Sequence, residues 1–188
     1  MERNKSPFSR RLLLGSLGAS ALVLAGCGSA PKRTASRTTA RGSIRQNVPQ
    51  LAAQNPLHLS SQLRETVVAR AMQTLGVPYR YGGNTLADGF DCSGMVQFAV
   101  AAATDRALPR TTQQWALASE PVANGLAGLQ RGDFVFFNTS GRSFSHMGIY
   151  IGNNQFVHAP SSGGVVRVVA LDNMYFAPRF DGARTVFL

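Results

Sequence analysis

The chain has 188 residues, a hydrophobic fraction of 44% and a formal net charge of +10 at pH 7. This length suits one domain with appendages, and the apolar fraction is ordinary for a globular protein. From Leu57 onward ten basic residues face eight acidic ones, so the positive excess lies in the N-terminal third. The folded part therefore lacks the basic surplus that is typical of nucleic-acid-binding domains, and we expect no nucleic-acid partner.

Residues 1–27 have the pattern of a bacterial export signal. A positively charged start with a pair of arginines precedes an apolar core, which ends with the sequence LAGC at residues 24–27. The core is too short and too broken by glycine for a comfortable membrane span. Its end resembles a lipobox, so we expect cleavage before Cys27 and lipidation of that cysteine. An ordinary secretory signal with an incidental cysteine is the alternative, and the paired arginines leave twin-arginine export open.

Residues 28–56 are rich in Thr, Ser, Ala, Arg and Gln and show no apolar periodicity. This composition predicts a disordered tether. Its basic side chains, with no acidic residue among them, favour contact with anionic lipid headgroups or cell-wall polymer, although solubility alone explains them equally well. Gly28 rather than aspartate follows the cysteine, so the familiar inner-membrane retention signal is missing. We expect a lipid anchor in the outer membrane, facing the periplasm, if the cell is Gram-negative.

Residues 57–188 carry the periodic patterns of a folded domain. Apolar residues at helical spacing predict a helix over Ser61–Leu75, ended by a glycine and a proline. A second helix is predicted to start at Asp91, a good N-cap residue that is followed by an apolar helical face. The sequence TTQQ at residues 111–114 fits the capping box of a short third helix.

After Gly128 the pattern changes to short apolar runs separated by turns, which predicts strands. Helices first and a strand meander second are typical of an α+β domain, and we expect an antiparallel five-stranded sheet. The predicted strands cover residues 134–137, 146–151, 155–159, 164–169 and 185–188.

Cys92 is a candidate nucleophile. It falls in the first turn of the second predicted helix, where unpaired backbone N–H groups and the helix dipole favour a thiolate. If Cys27 is lipidated, Cys92 has no cysteine left to pair with, and an unpaired cysteine in an exported protein suggests a reactive thiol. We therefore expect a depressed thiol pKa. A small buried hydrophobic residue is the alternative interpretation.

His146 and His158 lie on two predicted strands that are joined by a hairpin. A cysteine nucleophile needs a base, and the base needs a group that orients it, so Cys92 and these histidines are residues of the required kinds. His58 precedes the first helix and is expected to be exposed. A zinc site built from the same three residues is the alternative, but no C-x-x-C or H-E-x-x-H motif accompanies them.

The two histidines meet only if they point to the same face of the sheet. A two-residue turn at Asn153-Asn154 pairs Ile149 with His158 and separates the imidazoles. A three-residue loop pairs Gly148 with His158 and makes the two imidazole rings diagonal neighbours on one face of the sheet. A bulge that shifts the register by one residue has the same effect. We predict the second register, with positive φ at one of the two asparagines.

Six motifs together resemble the NlpC family of cell-wall cysteine peptidases, over the chain from about Leu57 to its end. They are GVPYRYGG at 76–83, DCSG at 91–94, LPRT at 108–111, RGDFVFF at 131–137, HMGIYIG at 146–152 and FVHA at 156–159. The resemblance implies a reduced papain-like fold and hydrolysis of a peptide bond in peptidoglycan. It leaves open whether the D-Ala–diaminopimelate crosslink or the D-Glu–diaminopimelate stem bond is cut. We expect a monomer that needs no cofactor or metal.

Carried over residue by residue, the resemblance implies Cys92 as the nucleophile, His146 as the base and His158 as the residue that orients the base. Tyr79 matches the tyrosine whose hydroxyl helps to stabilise the oxyanion. The loop between this tyrosine and the cysteine is one residue longer than in the nearest pattern, so Tyr81 is a rival for the role.

The resemblance further implies that Asp91 and Ser93 line the substrate groove. Two other functions compete with a peptidoglycan endopeptidase. One is an acyltransferase or amidase on the same fold, and the exported, tethered layout argues weakly against it. The other is a non-catalytic lipoprotein that binds the cell wall, and the presence of the cysteine and both histidines argues against that function.

Overall fold

In the computed structural model residues 56–188 are described, and they form an α+β domain. The predictions for Cys27, for the signal segment and for the tether up to residue 55 lie outside the described residues. Within residues 56–188 no helix has the length and apolar character needed to cross a membrane.

The first helix begins at Ser61, as predicted, but ends three residues before the predicted end at Leu75. It opens with a single 3₁₀ turn at Ser61–Leu63 and continues as α1 (Arg64–Met72). Just beyond it, the Thr74 hydroxyl donates a hydrogen bond to the Ala71 carbonyl at 2.6 Å. Such a side-chain hydrogen bond competes with helical backbone pairing, which explains why the helix ends before the apolar pattern does.

The other two helices begin where the sequence supplies caps. α2 (Cys92–Val100) starts directly after Asp91, whose carboxylate accepts a backbone N–H of the first turn at 2.7 Å. α3 (Thr112–Leu117) starts after Thr111, with both hydrogen bonds of the capping box formed. Both predicted helix starts are confirmed. The first of them makes Cys92 the N-terminal residue of α2.

Within residues 56–188, eight strands form two sheets. They are β1 (Asn84–Thr85), β2 (Gly89–Phe90), β3 (Glu120–Pro121), β4 (Phe134–Phe137), β5 (His146–Gly152), β6 (Gln155–His158), β7 (Arg167–Ala170) and β8 (Phe180–Thr185). β1 and β2 pair with each other, and the others form one antiparallel sheet in the order β3-β8-β4-β5-β6-β7. This sheet has six strands rather than the predicted five, because β3 is a two-residue edge strand that carries no alternation for a sequence pattern to reveal.

The last two predicted strands are displaced along the chain. β7 begins three residues after the predicted start of 164–169, and β8 covers 180–185 rather than 185–188. Near the C-terminus, Phe187 forms an isolated parallel bridge with Leu59, so the apolar chain end closes the core instead of extending a strand. The sequence of β8, FDGART, lacks a run of β-branched residues and therefore gave no strand signal.

The main sheet separates two hydrophobic clusters. One lies between the helices and the sheet and includes Met147 of β5. The other covers the opposite face and contains Phe137, Phe156 and Phe176. Successive residues of a strand point to opposite faces, so His146 lies against the second cluster although its neighbour packs in the first.

The hairpin of β5 and β6 has the register that brings the two histidines together. Ile149 pairs with Val157, and continuing the ladder by one residue puts Gly148 opposite His158. A Cβ atom at Gly148 would lie 2.6 Å from the Val157 carbonyl oxygen and 3.2 Å from the His158 Cβ. Glycine at this position therefore lets β6 and its imidazole approach closely.

A β-bulge next to the turn gives this hairpin the predicted register. Asn153 and Asn154 form a two-residue turn, with φ of 52° and 57°. Between Tyr150 and Gly152 the pairing of β5 with β6 shifts by one residue. This shift puts His158 on the same face of the sheet as His146, which a two-residue turn alone would not do. The predicted register and the positive φ are thus confirmed, through the bulge rather than through a three-residue loop.

Candidate active site

Cys92 lies at the start of α2, where this helix packs against β5. The backbone N–H of Met147 lies near the cysteine sulfur and lowers the pKa of the thiol. This N–H belongs to the residue directly after His146, so the thiol and the His146 backbone are neighbours. The cysteine is half-buried and is a free thiol.

Burial, rather than the helix start, decides the protonation of Cys92. It raises the pKa of the thiol to about 11, and the negative charge of Asp91 adds to the rise. The backbone N–H groups of Met147, Ser93 and Cys92 itself lower the pKa, but they do not offset the burial. The expectation of a depressed thiol pKa is therefore wrong. That expectation took account of the helix start but not of the desolvation of the thiol by tertiary packing.

We expect the alkylation of Cys92 by iodoacetamide to accelerate with pH and to show no inflection below about pH 9, because a neutral thiol reacts through its small thiolate fraction. A Cys27→Ser chain leaves one cysteine to label, and intact mass follows the adduct. An inflection between roughly pH 5 and 7 would reveal a thiolate–imidazolium pair and would contradict the neutral thiol.

His146 and His158 form a buried imidazole pair. His146 Nε2 lies 2.9 Å from His158 Nδ1, the rings are almost perpendicular, and the two residues are 2% and 1% exposed. Burial lowers the pKa of His146 to about 4. Burial, with the positive charges of His146 and Arg167, lowers the pKa of His158 to about 3. Both rings are therefore neutral near pH 7, and the contact that the register prediction required is present.

Phe176 contributes to the burial of this pair and was not singled out from the sequence. Its ring stacks on His146 at a centroid distance of 5.9 Å and meets His158 edge-on at 5.0 Å. Phe137 and Phe156 in turn pack against it. Phe176 lies in the connection between β7 and β8, where no periodic pattern marks a buried residue.

We expect the domain to lose stability as the pH falls below about 6.5. An unfolded histidine takes up a proton with a pKa of about 6.5, whereas His146 stays neutral down to about pH 4, so acid favours the unfolded chain. Between pH 6.5 and 5 the loss is about 1.5 kcal/mol for each buried histidine. In thermal denaturation, His158→Gln should reduce the pH dependence of Tm, and His58→Gln, at an exposed position, should not. A Tm that is constant over this range would contradict the neutral pair.

Of the two candidate tyrosines, Tyr79 is the one that interacts electrostatically with Cys92. Tyr81 is 90% exposed, whereas Tyr79 is half-buried and bridges to Phe90. Burial raises the pKa of Tyr79, and electrostatic interactions with Cys92 and Asp91 add to the rise, which puts its side chain within electrostatic reach of both. Its hydroxyl is therefore protonated at neutral pH and able to donate a hydrogen bond.

Asp91 and Ser93 are 8% and 5% exposed, so little of either residue is open to a ligand, and the expectation that they line the substrate groove stays a prediction. Both carboxylate oxygens of Asp91 are engaged. They accept from the Arg110 guanidinium at 2.6 and 3.0 Å, from the Ser93 hydroxyl at 3.1 Å and from the Gly82 N–H at 2.9 Å. These contacts fix the start of α2 and the preceding loop, and so hold Cys92 in place.

Arg110 is the charged residue of the site to which sequence reasoning gave no role. Burial alone would raise the pKa of Asp91, but the Arg110 guanidinium and the Gly94 N–H reverse the effect and lower it. The LPRT motif contains this arginine, yet nothing in the sequence links it to a carboxylate 19 residues earlier.

The described part of the chain thus brings together groups for nucleophilic chemistry. Among residues 56–188 no cluster of three or more His, Cys, Asp or Glu side chains is arranged to hold a metal ion. A cysteine at the start of a helix, packed against the antiparallel sheet whose strands carry a pair of histidines, defines the papain-like class of α+β protein.

Comparisons with known proteins agree with this class. The model of the NlpC/P60 family matches residues 76–185. Murein DD-endopeptidase MepH of Escherichia coli (strain K12) is 35% identical over 132 residues, which cover 69% of this chain and 49% of MepH. Probable endopeptidase NlpC of the same strain is 46% identical over 112 residues, which cover 59% and 70%.

A solved structure is similar as well. The peptidoglycan hydrolase RipB of Mycobacterium tuberculosis superposes with a TM-score of 0.53 at 28% identity, over 75% of this chain and 69% of RipB. The chain belongs to the NlpC/P60 family, which is a family of cysteine peptidases. It spans about half the length of MepH.

Proposed function

We propose that the protein is a peptidoglycan endopeptidase in which Cys92 is the nucleophile. The proposal rests above all on one arrangement: the thiol lies against the Met147 N–H, one residue from a buried pair formed by His146 and His158. The names of the relatives, murein DD-endopeptidase and probable endopeptidase, support a cell-wall peptide as the substrate.

The first step is a proton transfer within a neutral site. His146 Nε2 is engaged with His158, so His146 Nδ1 is the nitrogen that remains for the proton of Cys92. This requires Nε2 of His146 to carry a hydrogen and donate it to His158 Nδ1. As the sulfur bonds to the carbonyl carbon of the substrate, its proton passes to His146, and the hydrogen bond to His158 stabilises the imidazolium.

The later steps use the same groups and water. The backbone N–H of Cys92 and the hydroxyl of Tyr79 donate to the oxyanion of the tetrahedral intermediate. His146 then gives its proton to the leaving amine, the C–N bond breaks, and a thioester remains on the cysteine. Water, deprotonated by His146, attacks the thioester, the C–S bond breaks, and the proton returns to the thiol.

For the bond, we propose the D-Ala–diaminopimelate crosslink, supported by the similarity to a relative named as a murein DD-endopeptidase. Purified peptidoglycan digested with the full chain tests this by product mass. Crosslink cleavage converts dimeric muropeptides to monomers with intact stems, whereas cleavage at D-Glu–diaminopimelate shortens the stems and would overturn the choice of bond. Products that carry an added acceptor group would indicate an acyltransferase. Products identical to those of heat-denatured protein would contradict an endopeptidase.

We further propose that Cys27 is lipidated and that residues 28–56 tether the domain to the membrane, on the periplasmic face of the outer membrane in a Gram-negative cell. The support is the LAGC sequence at residues 24–27 and the polar composition that follows it. Cells fed an alkyne fatty acid should label the wild-type chain and not Cys27→Ala. Equal labelling of the two chains would contradict the anchor.

A further inference from the structure

A cavity of about 490 Å³ borders the histidine pair, and the reaction described above does not use it. Its wall includes both imidazoles, Phe176, Arg167 of β7 and residues of the segments that follow β6 and β7. Cys92 is not among the residues that line it. A cavity of this size accommodates a small molecule or one residue of a larger ligand. The cavity is therefore next to the base and apart from the nucleophile.

Arg167 gives this cavity a positive charge without a counter-charge. No acidic side chain is among its lining residues, all of which belong to the described part of the chain. None of the ion pairs found among residues 56–188 involves Arg167. Arg167 is exposed, and its guanidinium fork, which can match a carboxylate in two hydrogen bonds, is open to a ligand at the wall of the cavity.

His158 adds a buried donor in the same wall. Its Nδ1 is engaged by His146, and its Nε2 has no hydrogen-bond partner among residues 56–188. In the tautomer that proton transfer from Cys92 requires, this Nε2 carries the hydrogen. A buried N–H without an acceptor is rare in folded proteins and points to a group that the site is built to bind.

We propose that this cavity binds a carboxylate, held by the Arg167 guanidinium and the His158 Nε2–H, with the hydroxyls of Ser161 and Ser162 as further donors. The positive charge of Arg167 lowers the pKa of His158, and a bound anion offsets that effect. The bound carboxylate also keeps the hydrogen of His158 on Nε2, which is the tautomer whose Nδ1 accepts the His146 N–H. Binding of the carboxylate in the cavity and the orientation of the base are therefore coupled.

Binding is tested directly by NMR on the full chain with labelled histidine rings, using N-acetyl-D-alanine as the carboxylate probe and N-acetyl-D-alaninamide as its neutral match. The carboxylate should shift the His158 ring signals and the amide should not. Arg167→Gln should weaken binding at least about tenfold, Arg167→Lys should weaken it less, and Arg106→Gln, an exposed arginine elsewhere, should leave it unchanged. Equal binding of acid and amide, or full affinity in Arg167→Gln, would overturn the proposal.

The carboxylate has two possible sources, a free small acid or the wall peptide itself, and the second rests on the proposed function. Digestion of peptidoglycan whose free carboxylates have been amidated separates them. If the wall supplies the group, amidation slows the wild type and has little further effect on Arg167→Gln. If a free acid supplies it, amidation changes neither rate and added N-acetyl-D-alanine changes the wild-type rate alone. A wild type that digests no peptidoglycan would refute the endopeptidase and leave the NMR result standing.

Discussion

Replacing His146 by alanine is expected to lower kcat/KM on a crosslinked muropeptide by roughly 100- to 10,000-fold near pH 7. The thiol is neutral, because burial raises the pKa of Cys92 to about 11, so without the base only its small thiolate fraction attacks. The residual activity of His146→Ala should therefore rise about tenfold for each pH unit up to roughly pH 10, whereas the wild-type rate changes little. This rise of residual activity with pH distinguishes loss of the base from misfolding.

Two further variants test whether the loss of activity in His146→Ala comes from removal of the base. His158→Ala should lose less, because it removes the acceptor that orients the base and leaves the base itself in place. His58→Ala, at an exposed position, should retain wild-type activity. Equal losses in His146→Ala and His158→Ala would contradict the assignment of one as base and the other as orienter.

Replacing Arg110 by methionine is expected to reduce both stability and the reactivity of Cys92. The change keeps an unbranched side chain but leaves the buried Asp91 carboxylate without its ion pair, at a cost of about 2–3 kcal/mol in the free energy of unfolding. The uncompensated charge, already a cause of the raised thiol pKa, should raise it further and slow alkylation at a fixed pH. Chemical denaturation and the alkylation rate measure the two effects.

Controls for this variant follow from geometry. Arg110→Lys should recover part of the alkylation rate, because it restores the positive charge but not the two-pronged contact with the carboxylate. Arg106→Met, the matched change at an exposed arginine, should alter neither quantity. An Arg110→Met chain as stable and as reactive as the wild type would show that the ion pair does not hold the helix start.

Local patterns predicted most of what positions the site. An N-cap residue before an apolar helical face placed Cys92 correctly, and side-chain alternation with a turn argument placed His146 and His158 on one face. Each of these inferences depends on a few consecutive residues or on one hairpin. Their physical basis is hydrogen bonding and strand geometry, which act over short stretches of chain.

What the sequence did not reveal depends on contacts between distant segments. The pairing of Arg110 with Asp91, and the packing of Phe176 against the two imidazoles, join parts of the chain that no period connects. The sign of the shift in the thiol pKa was missed for the same reason, since burial is a property of the assembled domain. The strand β3 was too short to show alternation.

The role of Cys92 can be measured in one comparison. Purified crosslinked muropeptide dimer is incubated with the wild-type full chain, with Cys92→Ala and with His58→Ala, and the conversion to monomer is followed by mass. We expect conversion by the wild type and by His58→Ala, and none by Cys92→Ala even after the longest incubation, although that variant folds like the wild type by circular dichroism. Conversion by Cys92→Ala at a rate near that of the wild type would contradict cysteine catalysis at this site.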